Sequence, residues 1–288
     1  MANLLTILHQ HPLLFTLLTG LLGLIVGSFL NVVIYRLPKM LEQEWRHQCN
    51  EIHDMSPPET AALTLSTPRS TCPHCSHTIT PLENIPVISY LALRGRCRAC
   101  HAPISVRYPF IELLTAFLSA GVAIHFGYGP QAIFALPLVW ALIALTFIDI
   151  DTQLLPDRIT LPLLWLGLLI NLNGIFVPVS QAVIGAAAGY LSLWSVYWAF
   201  KLFTGKEGMG FGDFKLLAAI GAWLGWEMLP MVILLSSVVG AITGLIMIAA
   251  RKQHAAAPMP FGPYLAGGAL VALFWGDRIS HAWLGALT

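Results

Sequence analysis

The stretch Met209-Gly210-Phe211-Gly212-Asp213 forms a glycine-rich turn ahead of an apolar run at about residues 214–229. The sequence therefore predicts a membrane helix with a carboxylate, Asp213, at its N-terminal end. An ionised side chain near hydrocarbon is costly unless it has a partner or a function. Gly210 and Gly212 carry no side chains, so an extended peptide or a neighbouring helix can approach this acid closely.

The rest of the chain shares this apolar character and predicts an all-α polytopic membrane protein. Its 288 residues are 57% hydrophobic and only 10% charged, whereas about a quarter of the residues of a soluble domain are charged. No basic face is laid out for nucleic-acid binding. Runs long enough to cross a core of about 30 Å predict about eight transmembrane helices, at 13–35, 109–126, 131–148, 159–177, 181–203, 214–229, 231–250 and 262–285.

The distribution of Lys and Arg predicts the orientation. Residues 1–12 contain no Lys or Arg, so we expect a retained first helix instead of a cleaved signal. With residues 36–108 in the cytoplasm, only Arg278 of the 15 cations lies outside. This threading gives a first transmembrane helix at 1–35, a cytoplasmic domain at 36–108 and a seven-helix membrane domain at 109–288. The later cations placed inside are Arg158, Lys201, Lys206, Lys215, Arg251 and Lys252.

Glycines four residues apart recur in several of the predicted helices. Such pairs allow helix backbones to approach closely in lipid, where no hydrophobic effect drives helices together. They therefore predict a compact bundle. The pairs are Gly23/Gly27, Gly185/Gly189, Gly221/Gly225 and Gly240/Gly244.

Two Cys-x-x-Cys motifs lie in residues 36–108, the only sizeable soluble part of the chain. Their spacing fits a four-thiolate zinc site, and a domain too small for a large core gains most from a metal. A reducing cytoplasmic location argues against a structural disulfide, which leaves a redox dithiol pair or metal-free cysteines as alternatives. We predict metal ligands at Cys72, Cys75, Cys97 and Cys100, with His74, His77 and His101 as bystanders and Cys49 unpaired.

Asp149 is the predicted partner of Asp213. It follows the third apolar run, and the threading brings both acids to the cytoplasmic side. Two facing carboxylates share one proton because ionising both is costly. The ionised one can activate a water while the protonated one polarises a peptide carbonyl, as peptide hydrolysis requires. Spacing alone leaves Asp151 as an alternative to Asp149, and helix capping as an alternative task for Asp213.

Two further acids have open or simple interpretations. Asp157 follows Pro156 and precedes a new helix, so it is most simply a helix cap. Glu112 lies early in the second helix. It can pair with a nearby Arg, or it can line the site.

Several motifs occur in order along the chain, and together they resemble the bifunctional type IV prepilin leader peptidases of Gram-negative bacteria. Gly-x-Gly-Asp alone is a weak signal, because presenilin-like intramembrane proteases also carry it. The resemblance covers nearly the whole chain. Its motifs are Gly27-Ser-Phe-Leu-Asn31-Val-Val-Ile-Tyr-Arg-Leu-Pro38, Glu83-Asn-Ile-Pro86 between the cysteine pairs, Asp149-x-Asp151-x-x-x-x-Pro156-Asp157, Gly210-x-Gly212-Asp213-x-Lys215 and Pro260-Phe-Gly-Pro-Tyr264.

This resemblance implies a specific activity. Such enzymes cleave the leader of prepilins and pseudopilins after a glycine at the cytoplasmic face of the bacterial inner membrane. They then N-methylate the new terminal residue, usually Phe, with S-adenosylmethionine. By motif position, the catalytic pair is Asp149 and Asp213, and Gly95 is associated with methyl transfer. The cysteine domain, with structural Zn²⁺, is expected in the bifunctional members.

The sequence also allows two alternative functions. One is a presenilin-like aspartyl protease that cuts within helices and transfers no methyl group. The boundary position of both acids and the cysteine-bearing loop argue against it. The other is a membrane transporter or assembly scaffold whose acids relay protons. Polar residues would then be expected near the midplane of several helices, whereas here they cluster at one face.

Overall fold

The computed structural model describes residues 2–53, 63–250 and 259–285, and it describes side chains within 6–53, 63–250 and 259–279. Within these ranges the protein is helical, and its only β-type pairings are two isolated bridges next to the cysteine pairs. The helices are α1 Ala2–Gln10, α2 Pro12–Ile52, α3 Ile88–Ala92, α4 Arg107–Phe126, α5 Pro130–Thr152, α6 Asp157–Asn171, α7 Val179–Thr204, α8 Phe211–Leu224, α9 Leu229–Ala249 and α10 Gly262–Gly285.

The predicted all-α membrane class is confirmed. Each of the eight predicted runs corresponds to one helix among α2 and α4–α10. By length and composition, five segments of the described chain are long and apolar enough to cross a membrane. They are α2, α4, α5, α7 and Trp226–Ala249, which is α9 with the turn before it. Helices α6 and α8 are shorter, with 15 and 14 residues.

The chain divides into two compact units, residues 1–132 and 133–288. In the first unit, α2 and α4 pack closely along the predicted pair Gly23/Gly27. A Cβ atom on Gly23 would lie 2.6 Å from Ser119 Oγ, and one on Gly27 would lie 2.8 Å from Glu112 Cα. Any side chain at these two positions would therefore force the helices apart.

Helix α2 continues well past residue 35, the predicted end of the first transmembrane helix, and reaches Ile52. The apolar run measures how far the chain suits lipid, whereas helicity depends on other properties. Residues 39–52 contain three Glu, two Gln and one each of Lys, Met, Leu and Arg, which are good helix formers although several are charged. Pro38 lies inside the helix without ending it.

Helix α8 is the centre of the second unit. All its residues from Asp213 to Leu224 are buried except Lys215. The predicted glycine contacts are present, because a Cβ atom on Gly189 would lie 2.5 Å from Leu217 O, and Gly185 and Gly221 face each other's backbone at even closer range. Helix α7 therefore lies directly against α8, with backbone against backbone.

A buried polar side chain, Asn171, holds the far end of α8. Its amide group donates to the carbonyl oxygens of Ala222 and Trp223, at 2.9 and 3.1 Å. Its amide oxygen accepts from the N–H groups of Phe176 and Val177. These bonds satisfy a side chain that weakens the apolar run at 159–177, and they connect the end of α6 to the end of α8.

Candidate active site and metal centre

Asp149, near the C-terminal end of α5, is buried in the second unit. Its Oδ2 atom accepts a 2.9 Å hydrogen bond from the N–H of Gly262, the first residue of α10. A Cβ atom on Gly262 would lie 2.7 Å from the same oxygen. Only glycine therefore lets the start of α10 come this close, and the backbone of α10 fixes one oxygen of the carboxyl group.

Asp213 is also buried, and it interacts electrostatically with Asp149. Helix α8 begins at Phe211 with Gly210 as its N-cap, so Asp213 lies in the first turn and is not the cap residue itself. Its carboxyl group faces the backbone N–H of Gly210. This is the reach of an acid in the first turn back to the cap position, and it holds the side chain at the helix entrance.

The loop between α5 and α6 brings the two acids together through Leu155. A Cβ atom on Gly212 would lie 2.8 Å from Leu155 Cβ, and one on Gly262 would lie 3.0 Å from Leu155 Cδ2. One leucine thus packs on the glycines at the starts of both α8 and α10. Because Gly212 of the glycine-rich turn has no side chain, Leu155 can pack against the start of α8, and the turn also leaves room for access to the acids.

The two other acids of this region are arranged differently. Asp151 is exposed, whereas Asp149 is buried beside Asp213. Asp157 stands in the first turn of α6, where Pro156 is the N-cap residue. Both its oxygens lie 2.7 Å from Lys215 Nζ. The prediction that Asp157 caps α6 is therefore wrong, because its carboxylate pairs with Lys215 and joins the start of α6 to the start of α8.

The predicted cysteines come together in the first unit, between α2 and α4. The sulfurs of Cys72 and Cys100 lie 3.8 Å apart, those of Cys75 and Cys97 lie 4.0 Å apart, and all four lie within 4.8 Å of one another. Four ligands at a Zn–S distance of about 2.3 Å form a tetrahedron with edges of about 3.8 Å. The cluster therefore has the size and donor set to hold Zn²⁺.

Backbone N–H groups favour the thiolate form at two of the four cysteines. N–H groups of Cys75 and His74 lower the pKa of Cys72 to about 6, and N–H groups of Cys100 and Ala99 lower the pKa of Cys97. Thiolates are the form that binds zinc. The predicted bystander role of His77 agrees with its contact, since its Nε2 lies 3.3 Å from a Glu83 oxygen.

A cavity of about 620 Å³ opens in the first unit beside the cysteine cluster. Two buried charged side chains line it, Glu112 from α4 and Arg36 from α2. The Glu112 Oε2 atom accepts a 2.7 Å hydrogen bond from Val87 N–H. Glu112 therefore lines this cavity, and within the described residues its hydrogen-bond partners are uncharged, which argues against the predicted pairing with an Arg. Sequence reasoning missed Arg36 here.

Gly95 lies next to this cavity and has a clear structural need for glycine. Its φ of +67° is in the left-handed region, which disfavours residues with a Cβ atom. A Cβ atom would also lie 2.9 Å from the Oη atom of Tyr90, a residue of the cavity wall. A substitution at Gly95 would therefore disturb Tyr90 and with it the cavity.

Of the remaining predicted positions, Arg251 and Lys252 lie outside the described residues. The position that sequence reasoning missed most clearly in the second unit is Gly262. It lies in the motif Pro260-Phe-Gly-Pro-Tyr264, which the sequence analysis identified. The hydrogen bond from its backbone N–H to an acid 113 residues earlier could not be predicted, because no side-chain pattern indicates it.

Comparisons with known proteins agree over the whole chain. The model of the bacterial peptidase A24 N-terminal domain matches residues 21–126, and that of the type IV leader peptidase family matches residues 136–245. Three similar proteins are each named prepilin leader peptidase/N-methyltransferase. The one from Aeromonas hydrophila is 58% identical over 286 residues, 99% of each chain. That from Pseudomonas aeruginosa is 56% identical, covering 98% of this chain and 97% of the relative. That from Legionella pneumophila is 48% identical, covering 96% of each. No solved structure matches significantly.

Proposed function

Because the chain belongs to the type IV leader peptidase family, we propose that it cleaves the leader peptides of type IV prepilins and pseudopilins after a glycine. It then N-methylates the new terminal residue, usually Phe, with S-adenosylmethionine. The names of its relatives support both activities. They do not favour a presenilin-like peptidase without methyl transfer, or a transporter or scaffold.

The buried pair Asp149 and Asp213 is the observation that carries the peptidase proposal. Ionising two close carboxyl groups together is costly, so the pair holds one proton between them. The ionised carboxylate takes a proton from an attacking water, and the protonated one donates a hydrogen bond to the scissile carbonyl. The N–H of Gly262 orients Asp149 for this task.

The four cysteines and Gly95 belong to the methyltransferase part of the proposal. Zn²⁺ held by Cys72, Cys75, Cys97 and Cys100 has a structural role, because four thiolates close its coordination shell. Gly95 acts on methyl transfer through conformation, since its backbone and its contact with Tyr90 shape the domain beside the cluster.

We further propose that the protein lies in the bacterial inner membrane with the acid pair on the cytoplasmic side. In the second unit, the acids lie where α5 ends and where α8 begins. Four cations lie at the same two connections, between α5 and α6 and between α7 and α8: Arg158, Lys201, Lys206 and Lys215. Cations favour the cytoplasmic side. A prepilin would then present the junction between its leader and its membrane helix directly to the acid pair, with lipid around the helix.

Purified enzyme incubated with a prepilin, with and without S-adenosylmethionine, tests the proposal by intact mass. The wild type should remove the leader and add one methyl group only when the methyl donor is present. Asp149→Asn and Asp213→Asn should each lower cleavage by about 10³-fold, since general acid–base groups contribute about 10²–10⁴-fold. Both variants should still methylate a substrate supplied already cleaved.

Asp151→Asn is the matched control, because that acid is two residues from Asp149 but exposed. It should cleave at close to the wild-type rate. Cleavage by a stable Asp149→Asn or Asp213→Asn variant at the wild-type rate would refute the pair. Cleavage within the apolar helix of the substrate, mapped by mass, would favour the presenilin-like alternative.

A further inference from the structure

The cavity in the first unit carries two buried charges of opposite sign. We propose that it is the S-adenosylmethionine site, with Glu112 facing the cationic sulfonium and Arg36 facing the carboxylate. The inference rests on the proposed methyltransferase function and adds a location for the methyl donor.

Glu112 is the first argument. It is only 8% exposed and lines the cavity. Its partners are the N–H of Val87 and the side chain of Ser28, and within the described residues the structure gives it no cationic partner. A buried carboxylate without a counter-charge is costly. A ligand with a positive charge would supply the missing partner.

Arg36 is the second argument. It is 7% exposed, and its guanidinium donates to the carbonyl oxygens of Thr64, Leu65 and Pro68. All three acceptors are neutral, and no carboxylate within the described part of the chain pairs with it. A guanidinium is the group best suited to bind a carboxylate. Arg36 therefore fits the acidic end of a zwitterionic ligand.

The spacing of the two contacts along α2 suits the amino-acid arm of the donor, which carries the sulfonium at one end and the carboxylate at the other. Ser28, the contact of Glu112, and Arg36 lie eight residues apart on α2, about 12 Å along the helix axis at 1.5 Å per residue. The cavity volume of about 620 Å³ is in the range of pockets for small molecules and cofactors.

Aromatic side chains complete the site. Tyr90 and Tyr108 line the cavity, and aromatic faces attract both a flat base and an organic cation. S-adenosylmethionine combines a base, a sulfonium, an ammonium and a carboxylate. A neutral lipid or an apolar peptide would leave the charges of Glu112 and Arg36 unmatched.

Loss of the methyl group removes the positive charge from the sulfur of the ligand, so donor and product can be compared to test the role of Glu112. The product, S-adenosylhomocysteine, is a neutral thioether at sulfur but otherwise has the same groups. Glu112→Gln keeps the shape and the acceptor for Val87 N–H while it removes the negative charge. It should weaken the binding of S-adenosylmethionine about 10- to 100-fold, the range for a lost charge-assisted hydrogen bond. Binding of S-adenosylhomocysteine should fall less. Calorimetric Kd values for both ligands on full-length enzyme in detergent measure this difference.

Two further variants control for misfolding. Glu51→Gln removes an exposed acid near the C-terminal end of α2 and should change neither Kd. Val32→Trp places bulk in the cavity wall and should abolish binding of both ligands. Its matched control is Ile25→Trp, seven residues earlier on α2 and 57% exposed. Zinc content, measured for every variant, reports whether the domain has folded.

The outcomes separate this inference from the proposed function. If the wild type binds the donor and methylates substrate, but Val32→Trp and Glu112→Gln leave both Kd values unchanged, the site lies elsewhere and the function stands. An equal loss of both ligands in Glu112→Gln would overturn the charge assignment. Unchanged binding with weaker prepilin cleavage would point instead to leader recognition by Glu112. A wild type that neither binds the donor nor methylates would overturn the methyltransferase proposal itself.

Discussion

The cysteine cluster and the acid pair are built in opposite ways. The four cysteines lie within residues 72–100, and two short turns hold them, each with a left-handed residue, Ser76 or His101, directly after the pair. The acid pair needs α5, α8 and α10, and its key hydrogen bond joins residues 113 apart in sequence. Local turns thus determine the first site, whereas helix packing determines the second. Damage to one should therefore leave the other intact.

Metal removal should produce the largest difference between the two regions. The apparent binding free energy of a structural zinc is about 10–16 kcal/mol, and the cysteine region has little core of its own. A strong chelator, or Cys72→Ser, should remove the zinc and speed amide exchange at Cys72 and Cys97, whose N–H groups bond His77 and Ala102. Amides of α8 should stay protected. Hydrogen exchange read by mass spectrometry checks both regions.

Cys49→Ser is the control for metal removal, because that cysteine is exposed and lies on α2, away from the cluster. It should retain its zinc and its exchange pattern. Zinc content that survives Cys72→Ser would contradict the four-thiolate site, and loss of protection in α8 would contradict the independence of the two sites.

Gly262→Val should have the second largest effect, and on the other region alone. The new side chain would collide with Asp149 Oδ2 and Leu155, both within 3.0 Å of a Cβ atom here. Overpacking of this kind costs about 1–3 kcal/mol, and the displaced carboxyl group should lower prepilin cleavage about 10²-fold or more. Zinc content should not change. Cleavage assays and metal analysis on one preparation measure both.

Gly267→Val is the matched control, because a Cβ atom on that glycine of α10 meets nothing within 4 Å. It should cleave at nearly the wild-type rate. Full activity of Gly262→Val would mean that Asp149 does not depend on the start of α10 for its position.

Lys215→Met should have the smallest effect. The ion pair with Asp157 is half exposed on the acid side, and such pairs contribute about 0.2–1 kcal/mol. The melting temperature should fall by only a few degrees, and cleavage should stay within about threefold. Thermal unfolding and prepilin cleavage check this, with exposed Lys206→Met as the control. A fall in cleavage as large as that of Asp213→Asn would show that Lys215 acts directly on the acid pair.

Much of the fold and part of the site could be predicted from the sequence, for physical reasons that differ. The eight helices follow from apolar runs, and the contacts of Gly185, Gly189 and Gly221 follow from glycine spacing, since both signals are local. The cysteine cluster follows in the same way from two short motifs. The end of α2 does not, because residues 39–52 are mostly polar but stay helical.

The remaining parts could not be predicted because they depend on three-dimensional packing. Burial separates Asp149 from Asp151, although two residues of sequence cannot. The partner of Asp157 is Lys215 on another helix, and Pro156 is the cap residue, so the capping prediction made from local sequence was wrong. The bond from Gly262 to Asp149 comes from backbone, which every residue but proline carries, so no side-chain pattern reveals it.

The enclosure of α8 has a consequence for how the enzyme meets different bilayers. With 14 residues, α8 is about 21 Å long, shorter than a hydrocarbon core of about 30 Å. Protein covers it from Asp213 to Leu224, apart from Lys215. Hydrophobic mismatch acts on helices that lipid touches, and α7 and α9 are long and apolar enough to cross a membrane, with exposed side chains such as Leu191 and Leu245. The depth of Asp213 is therefore set by its protein neighbours, and thicker or thinner membranes should leave the position of the cut in the substrate unchanged.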